Sequence, residues 1–335
     1  MFDHLIDENK LELEKVMDWQ VLSDEQGFIK ELIVGNRRGP YKDKSFLYDI
    51  VANKTNGIDV DKFDYFARDC HHLGMKNNFD HHRFIKFARV CEVEGEKHIC
   101  TREQEVGNLY DFFHTRNCLH RRAYQHKVKN IVETMITEAF LLADKHLEFE
   151  GRNMKFTLST AKNDMVAYTK LTDNVFEQIL LSTSMELAGA REILTNILHR
   201  RLYKCVGQFY SANEINDTEA KMQLAGDQDN NLTPDDFIVE VIKMDYGMRT
   251  ENPIDHVGFY SKGDSKEAHK ISPVQVSTLI PEHFQEWLIQ VYCKRTDEES
   301  LGMAKEHFEQ WCNPQSCLRG PTLERELSLV LSDGW

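Results

Sequence analysis

A chain of 335 residues, 41% hydrophobic and 29% charged, can bury a sizeable core and has the composition of a globular protein. Its formal charge of −14 excludes a general coat for duplex nucleic acid, which needs a dense basic surface. No apolar run reaches the ~18 residues of a membrane span, the first ten residues lack the basic-then-apolar order of a secretory signal, and the eight cysteines include no C-x-x-C pair. That cysteine pattern argues against a zinc ribbon or a disulfide framework and for a reducing, intracellular compartment.

The chain opens on an amphipathic pattern with Leu5, Ile6, Leu11 and Leu13 as its apolar positions. It reads as a helix entered partway along, so Met1 is not expected to be the natural start of the fold. Residues 1–206 are mostly helical in pattern, with apolar residues at three- and four-residue spacing, clearest over 127–136 and 173–181.

The first constellation lies at 57–72. On a helix, Asp61, Tyr65, Arg68, Asp69 and His72 share a stripe roughly 100° wide, while Val60, Phe63, Phe66 and Ala67 point elsewhere and can pack. Such a stripe can simply face water, yet a mixture of carboxylates, phenol, guanidinium and imidazole suits a cleft better. The pairs His71-His72 and His81-His82 each point about 100° apart and cannot chelate together. Only His72 is kept as a cleft residue. Asp80, Arg83 and Phe87 then repeat at three- and four-residue spacing.

Residues 89–100 read as a β-hairpin with Gly95-Glu96 as a two-residue loop. That register sets Cys91 opposite Cys100 at a non-hydrogen-bonded pair, where side chains approach most closely. The two are a candidate redox pair, with burial as unreactive thiols the plainer outcome. Arg102 and Asn108 follow the hairpin.

Residues 114–129 hold five Lys or Arg, three His and no acid. On one continuous helix, Arg116, His120, Tyr124 and Lys127 share a face, and Arg122, His126 and Lys129 share another. Guanidinium forks and imidazole donors are what phosphate oxygens need, and Tyr adds a flat wall for a sugar or base. The alternative is a helix paired with acidic neighbours, but like charges this dense repel one another unless an anion is present. Two cationic faces would take two anions. Further on, Arg200 and Lys204 stand one turn apart.

Residues 211–236 carry seven Asp or Glu against a single Lys221 and read as a mobile insertion. The stretches 237–244, 257–260 and 287–293 suggest strands of a small α+β subdomain, although the third could continue a helix begun after Pro281. The closing residues 318–335 read as frayed. No Gly-rich phosphate loop, H-E-x-x-H, G-x-S-x-G or His-Asp dipeptide is present.

The segments 56–74 and 114–128, with 83–91, 105–111 and 244–248, resemble the SAM-and-HD-domain deoxynucleoside triphosphate triphosphohydrolases. The resemblance runs from Met1 to about Cys312 and is most specific through residue 140. It implies a mainly α fold: an HD-domain-like helical bundle, incomplete at its N-terminus, with a small β-hairpin and a C-terminal α+β subdomain. The implied parts are a helical domain over 1–206, an acidic flexible insertion over 207–236, the α+β subdomain over 237–312 and a tail over 313–335.

By this resemblance, Asp61 is the last ligand of a divalent metal centre (Zn, Fe or Mn), with Mg accompanying nucleotide phosphates. Lys62, Tyr65, Asp69, Arg116, His120, Tyr124 and Gln125 contact the dNTP substrate, with Tyr124 packed so as to exclude a ribose hydroxyl. Asp80, Arg83, Phe87, Arg102, Asn108, Arg122, His126, Lys127, Arg200, Lys204 and Lys262 contact activating GTP or dNTP between subunits of a homotetramer. Helix angle groups Lys127 with the substrate face instead, and one activator position that is Lys in the family is Gln104 here. The implied reaction is attack of a metal-activated water on the α-phosphorus, releasing deoxynucleoside and triphosphate, in the nucleus and with no membrane partner. The family's other metal ligands precede Met1, so this chain alone is expected to be inactive. Two alternatives remain: a non-catalytic form that binds nucleotide or single-stranded nucleic acid through the basic helix, and a regulatory subunit of the complete enzyme.

Overall fold

The computed structural model describes residues 1–12, 25–36, 42–226, 231–276 and 280–312. The expectations for Leu13 and for residues 318–335 lie outside these. In chain order come α1 (Phe2–Asn9), α2 (Glu25–Val34), α3 (Val60–Leu73), α4 (His81–Phe87), β1 (Arg89–Val93), β2 (Glu96–Arg102) and α5 (Val106–Leu119). A π-turn (His120–Tyr124) leads to α6 (Lys127–Ala143), followed by β3 (Phe149–Glu150), β4 (Lys155–Phe156), α7 (Met165–Lys170), α8 (Asn174–Leu181) and α9 (Ala188–Leu198). The rest is β5 (Lys204–Ser211), α10 (Asp217–Ala225), β6 (Phe237–Asp245), β7 (Phe259–Tyr260), β8 (Gln285–Cys293) and α11 (Glu298–Cys312). The fold is mainly α with small sheets, as the sequence pattern implies. Among the described residues no helix is long and apolar enough to cross a membrane.

Two compact units interleave along the chain: Met1–Arg122 with Asp245–Gln285, and Ala123–Met244 with Glu286–Trp335. The division expected from the resemblance, at 206, 236 and 312, follows sequence order, whereas these units interleave.

In the first unit, α3 starts at Asp59, whose carboxylate accepts the Lys62 amide, and stops at Gly74 in the left-handed region. Phe63, Phe66 and Cys70 are its buried stripe. Val60, expected to pack, is exposed, because it stands at the helix's first position. Phe63, Phe66, Phe79, Phe84, Phe112 and Phe113 interlock with ring centroids 4.9–6.2 Å apart and bind α3, α4 and α5 together.

The hairpin forms, but its turn is Glu94-Gly95 and not Gly95-Glu96. Both turn residues have positive φ (51° and 82°), the type I′ geometry that matches strand twist. Cys91 therefore pairs with His98, and Cys100 with Arg89. The two thiols are diagonal neighbours on one face, buried with Tyr260. The strand expected at 257–260 shortens to β7 and pairs parallel with β2.

In the second unit, α6 packs Ala139 and Ala143 toward α8 and α9, which contribute Val175, Ile179, Ala190 and Leu194. A three-stranded sheet of order β5-β8-β6 lies beside it. Residues 287–293 belong to β8, its central strand, and not to a helix: Leu288 through Cys293 are all buried, which a strand covered on both faces achieves. Ile289, Val291 and Cys293 meet α10 and α11 on one face, whereas Tyr292 joins Ile131 and Met135 of α6 on the other. The acidic stretch is no plain linker, since it holds α10, whose Ala220 and Leu224 are core residues. Gly207 lets the Phe308 ring approach so closely that an added Cβ would lie 2.0 Å from a ring carbon.

Candidate functional site

Along α3, the loop before the helix builds the first site residues. Asn53, Asn56 and Gly57 form a tight turn in which the Asn53 side chain donates to Asn56 Oδ1 (2.8 Å) and Ile58 O (3.1 Å). The turn delivers Asp59, 5% exposed, to the helix start. There it accepts from Asn53 N (3.1 Å) and Lys62 N (3.3 Å) and holds the Lys62 ammonium at 3.0 and 3.2 Å. Lys62 is thus aimed by a carboxylate that the sequence reading did not single out.

One turn on, Tyr65 interacts with Arg116 of α5. Burial pushes the phenol up to about 12, while the Arg116 charge and hydrogen bond oppose that rise and the fields of Asp61 and Asp59 add to it. Arg116 in turn donates to the Asp245 carbonyl and stands 3.8 Å from its carboxylate. Asp245 is fixed by accepting from Gly247 N (2.7 Å), and the next residue, Tyr246, stacks on Phe113. The first unit therefore gathers Asp61, Lys62, Tyr65 and Arg116 with Asp59 and Asp245. Asp69 sits a turn farther along, 3.3 Å from Arg68. His72, kept as a cleft residue, is exposed in the last turn of α3.

A second gathering in the same unit joins Asp80, Arg83, Phe87, Arg102 and Asn108. Asp80 caps α4 by accepting from Arg83 N (2.9 Å), and its backbone exchanges hydrogen bonds with the Asn108 amide (3.0 and 3.2 Å). The Arg83 guanidinium lies 5.1 Å from the Phe87 ring centre and Arg102 5.8 Å from it. Glu105, 1% exposed, grips Arg83 through three contacts of 2.6–2.9 Å and holds the guanidinium firmly protonated. Lys262 is exposed two residues past Tyr260, whose hydroxyl donates to Phe87 O (2.7 Å). Gln104 is exposed.

The basic segment is not one helix. Helix α5 ends at Leu119, five residues form a π-turn, and α6 begins only at Lys127, capped by His126 Nδ1 accepting from Val128 N (3.2 Å). A π-turn advances the chain by a different angle from an α-turn, so the two faces counted across 116–129 do not survive. Past the break, Lys127 lines a cavity of about 260 Å³ with Arg200, Lys204, Leu202, Tyr203 and Tyr292. The cavity brings together three of the basic residues expected to contact an activator, and across the break helix angle no longer groups Lys127 with Arg116 and His120. Arg200 ends α9 in the left-handed region (φ 59°), where Gly is the unstrained choice. A strain of about 1 kcal/mol is retained there beside a cationic side chain facing the cavity. His120, Tyr124 and Gln125 are half-buried in and just after the π-turn, and Arg122 and His126 are exposed.

Among known proteins, the chain is 56% identical to a Danio rerio protein named deoxynucleoside triphosphate triphosphohydrolase SAMHD1, over 93% of its own length. It is 54% identical to the Homo sapiens protein of that name, again over 93%, and 34% identical over 82% to a Dictyostelium discoideum SAMHD1 homolog. The chain belongs to the SAMHD1 family. It spans about half the length of the curated relatives it matches: 54%, 53% and 51% of those three. No family model matches it.

An HD-type family implies a divalent metal. Among the described residues no three of His, Cys, Asp or Glu converge on a point that could hold one, and Asp61 is exposed at the first turn of α3. These residues do not make a metal centre, which takes about three protein ligands. Four functional neighbours escaped the sequence reading: Asp59, Glu105, Asp245 and the polar cluster around Gln290. Only Asp59 left a local signal, as an Asp immediately before an apolar helical pattern.

Proposed function

We propose that this chain carries the nucleotide-binding residues of a deoxynucleoside triphosphate triphosphohydrolase, which splits a dNTP into deoxynucleoside and triphosphate. The observation that carries the reading is the aiming of cations by acidic residues in a chain of net charge −14: Lys62 by the buried Asp59, Arg83 by the buried Glu105 and Arg116 by the half-buried Asp245. An oriented cation loses little further entropy on meeting phosphate and stabilises charge as it grows on the phosphate oxygens. Lys62 and Arg116 take the triphosphate in the first unit. Tyr65, held protonated by burial, donates a hydrogen bond rather than accepting a proton.

Tyr124 meets the sugar and Gln125 the base, with Tyr124 leaving no room for a ribose hydroxyl. His120 adds a donor from the π-turn, and Asp69 a polar contact from α3. The activators are GTP or dNTP. One set of contacts is Asp80, Arg83, Phe87, Arg102, Asn108 and Lys262; the other is Arg122, His126, Lys127, Arg200 and Lys204. Both belong to a homotetramer acting in the nucleus. A divalent metal centre requires at least two ligands besides Asp61.

The test is release of triphosphate from dGTP by the full-length protein with a divalent metal and GTP. Wild type should release triphosphate, and Arg116→Ala should lose at least about 100-fold in kcat/KM, as expected for removing a charge-stabilising donor. No release from wild type removes the proposal.

A further inference from the structure

A buried amide in the middle of β8 remains unaccounted for. Gln290 is 1% exposed on the central strand of the second unit's sheet, where an aliphatic residue would be expected. Each of its four hydrogen-bonding positions faces a polar partner. Its Oε1 accepts from Asn130 Nδ2 (2.8 Å) and lies 2.9 Å from the Tyr292 hydroxyl. Its Nε2 donates to the Gln125 carbonyl (3.1 Å) and to Gln208 Oε1 (3.2 Å). The cluster continues at both ends. Asn130 Nδ2 also reaches Gln125 Oε1 (3.3 Å), and the Tyr292 hydroxyl, whose one proton serves two acceptors, lies 2.8 Å from the Lys127 carbonyl.

The placement of these atoms gives the cluster a direction. Tyr292 and Lys127 line the cavity that holds Arg200 and Lys204. Asn130 and Gln125 line a second, polar cavity of about 410 Å³ with Lys129, Glu133, Thr134 and Glu240. Gln290 joins the two pairs, and the carbonyls it and Tyr292 hold are those of Gln125 and Lys127, on either side of the non-helical residue His126. Backbone at a helix break has few internal hydrogen bonds, so external partners decide where it sits. A buried polar cluster with every member satisfied specifies a single arrangement, since moving one group strands the others.

We propose that Gln290 is a positioning residue that couples occupancy of the Lys127–Arg200–Lys204 cavity to the placement of Gln125. An anion that draws Lys127 toward it pulls on a carbonyl held by Tyr292, and Gln290 conveys the constraint to Gln125. Coupling of this kind is reciprocal: whatever orders Gln125 also favours the anion. The inference rests on the assignment of Gln125 to substrate and Lys127 to activator, but its test does not need turnover.

The experiment is hydrogen exchange followed by mass spectrometry on the full-length protein, with and without inorganic triphosphate, in wild type, Gln290→Met and Tyr292→Phe. Met keeps the length of Gln without its amide, and Phe keeps the ring that lines the cavity. In wild type, triphosphate should slow exchange both around Arg200 and Lys204 and across residues 124–129. In Gln290→Met the protection at 200–204 should persist, while that at 124–129 falls at least about 5-fold, the lower end of ordinary coupling. Tyr292→Phe should act in the same direction and serves if Gln290→Met does not fold. A purely structural amide would lower the melting temperature and leave ligand-dependent protection at 124–129 intact. Equal protection in the variants, or none at 124–129 in wild type, overturns the inference. Absence of triphosphate release from dGTP alongside these exchange changes would instead overturn the proposed function alone.

Discussion

Asp59 offers the cleanest separation of stability from charge at the candidate site. Replacing it by Ala removes the α3 cap, which costs about 0.5–2 kcal/mol in comparable helices. The same change leaves the Asn53 amide without its acceptor, 3.1 Å away in the native protein, in a turn where Asn53 is itself buried. A stranded buried donor costs about 1–3 kcal/mol, so a loss on the order of 3 kcal/mol is expected. For a domain of this size each kcal/mol moves the melting temperature roughly 2–4 °C, which gives a fall on the order of 6–12 °C. Asp59→Asn keeps a good cap but loses the charge that aims Lys62. Its single carbonyl oxygen can serve the Lys62 amide but not the Asn53 amide as well, so it should melt between wild type and Asp59→Ala and bind triphosphate more weakly. Circular dichroism melts and triphosphate titrations on the three proteins separate the two effects. An Asp59→Ala protein that melts with wild type would refute the reasoning, because neither the cap nor the Asn53 contact would then contribute.

Three further expectations concern other parts of the molecule. Gly207→Ala drives a methyl group to within 2.0–2.4 Å of the Phe308 ring and should destabilise the second unit by about 1–3 kcal/mol, with Phe308→Leu recovering part of the loss; an unchanged denaturation midpoint contradicts this. His98 is raised above its ordinary value of 6.5 by the 3.0 Å hydrogen bond its Nδ1 donates to the Asp49 carboxylate, against burial and the Lys270 charge, with Glu96 adding to the rise. Its stabilisation is complete below about pH 6.5 and is lost as pH climbs through the folded value, so the stability gap between wild type and His98→Gln should narrow as pH goes from about 5 to 8. A gap that widens has the wrong sign. Burial pushes Cys100 up to about 12 and raises Cys91 less steeply, partly because the two thiols share a hydrogen bond. Peroxide should oxidise them slowly at neutral pH and faster in alkali, and the product should be a Cys91–Cys100 disulfide; peptide mapping that finds both thiols free after alkaline peroxide removes the pair.

Periodicity reveals α3, α5 and α6 because each buries a single stripe, Phe63-Phe66-Cys70 being the plainest. It misses the break at 120–126, since no Gly or Pro marks it and the break is imposed by packing rather than by local preference. The hairpin is legible but its register is not: a Glu in the left-handed region is uncommon, so the sequence favours a turn led by Gly95 over the observed one led by Glu94. Strand β8 is ambiguous in sequence because a strand covered on both faces loses its alternation. Glu105, Asp245 and Gln290 stay hidden for a different reason. Glu105 grips Arg83 from 22 residues away, Asp245 meets Arg116 across 129, and Gln290 bonds Gln125 across 165. No spacing rule reaches that far.

The central claim is that basic residues before and after the helix break bind the phosphates of nucleotides. Isothermal titration of dGTP into the full-length protein, with hydrolysis blocked by a non-cleavable α-phosphate, tests it most directly. Wild type should take up nucleotide in more than one class of site, Arg116→Ala should abolish one class, and Arg200→Ala with Lys204→Ala should abolish another. Uptake that is absent in wild type, or unchanged in both variants, would contradict the account.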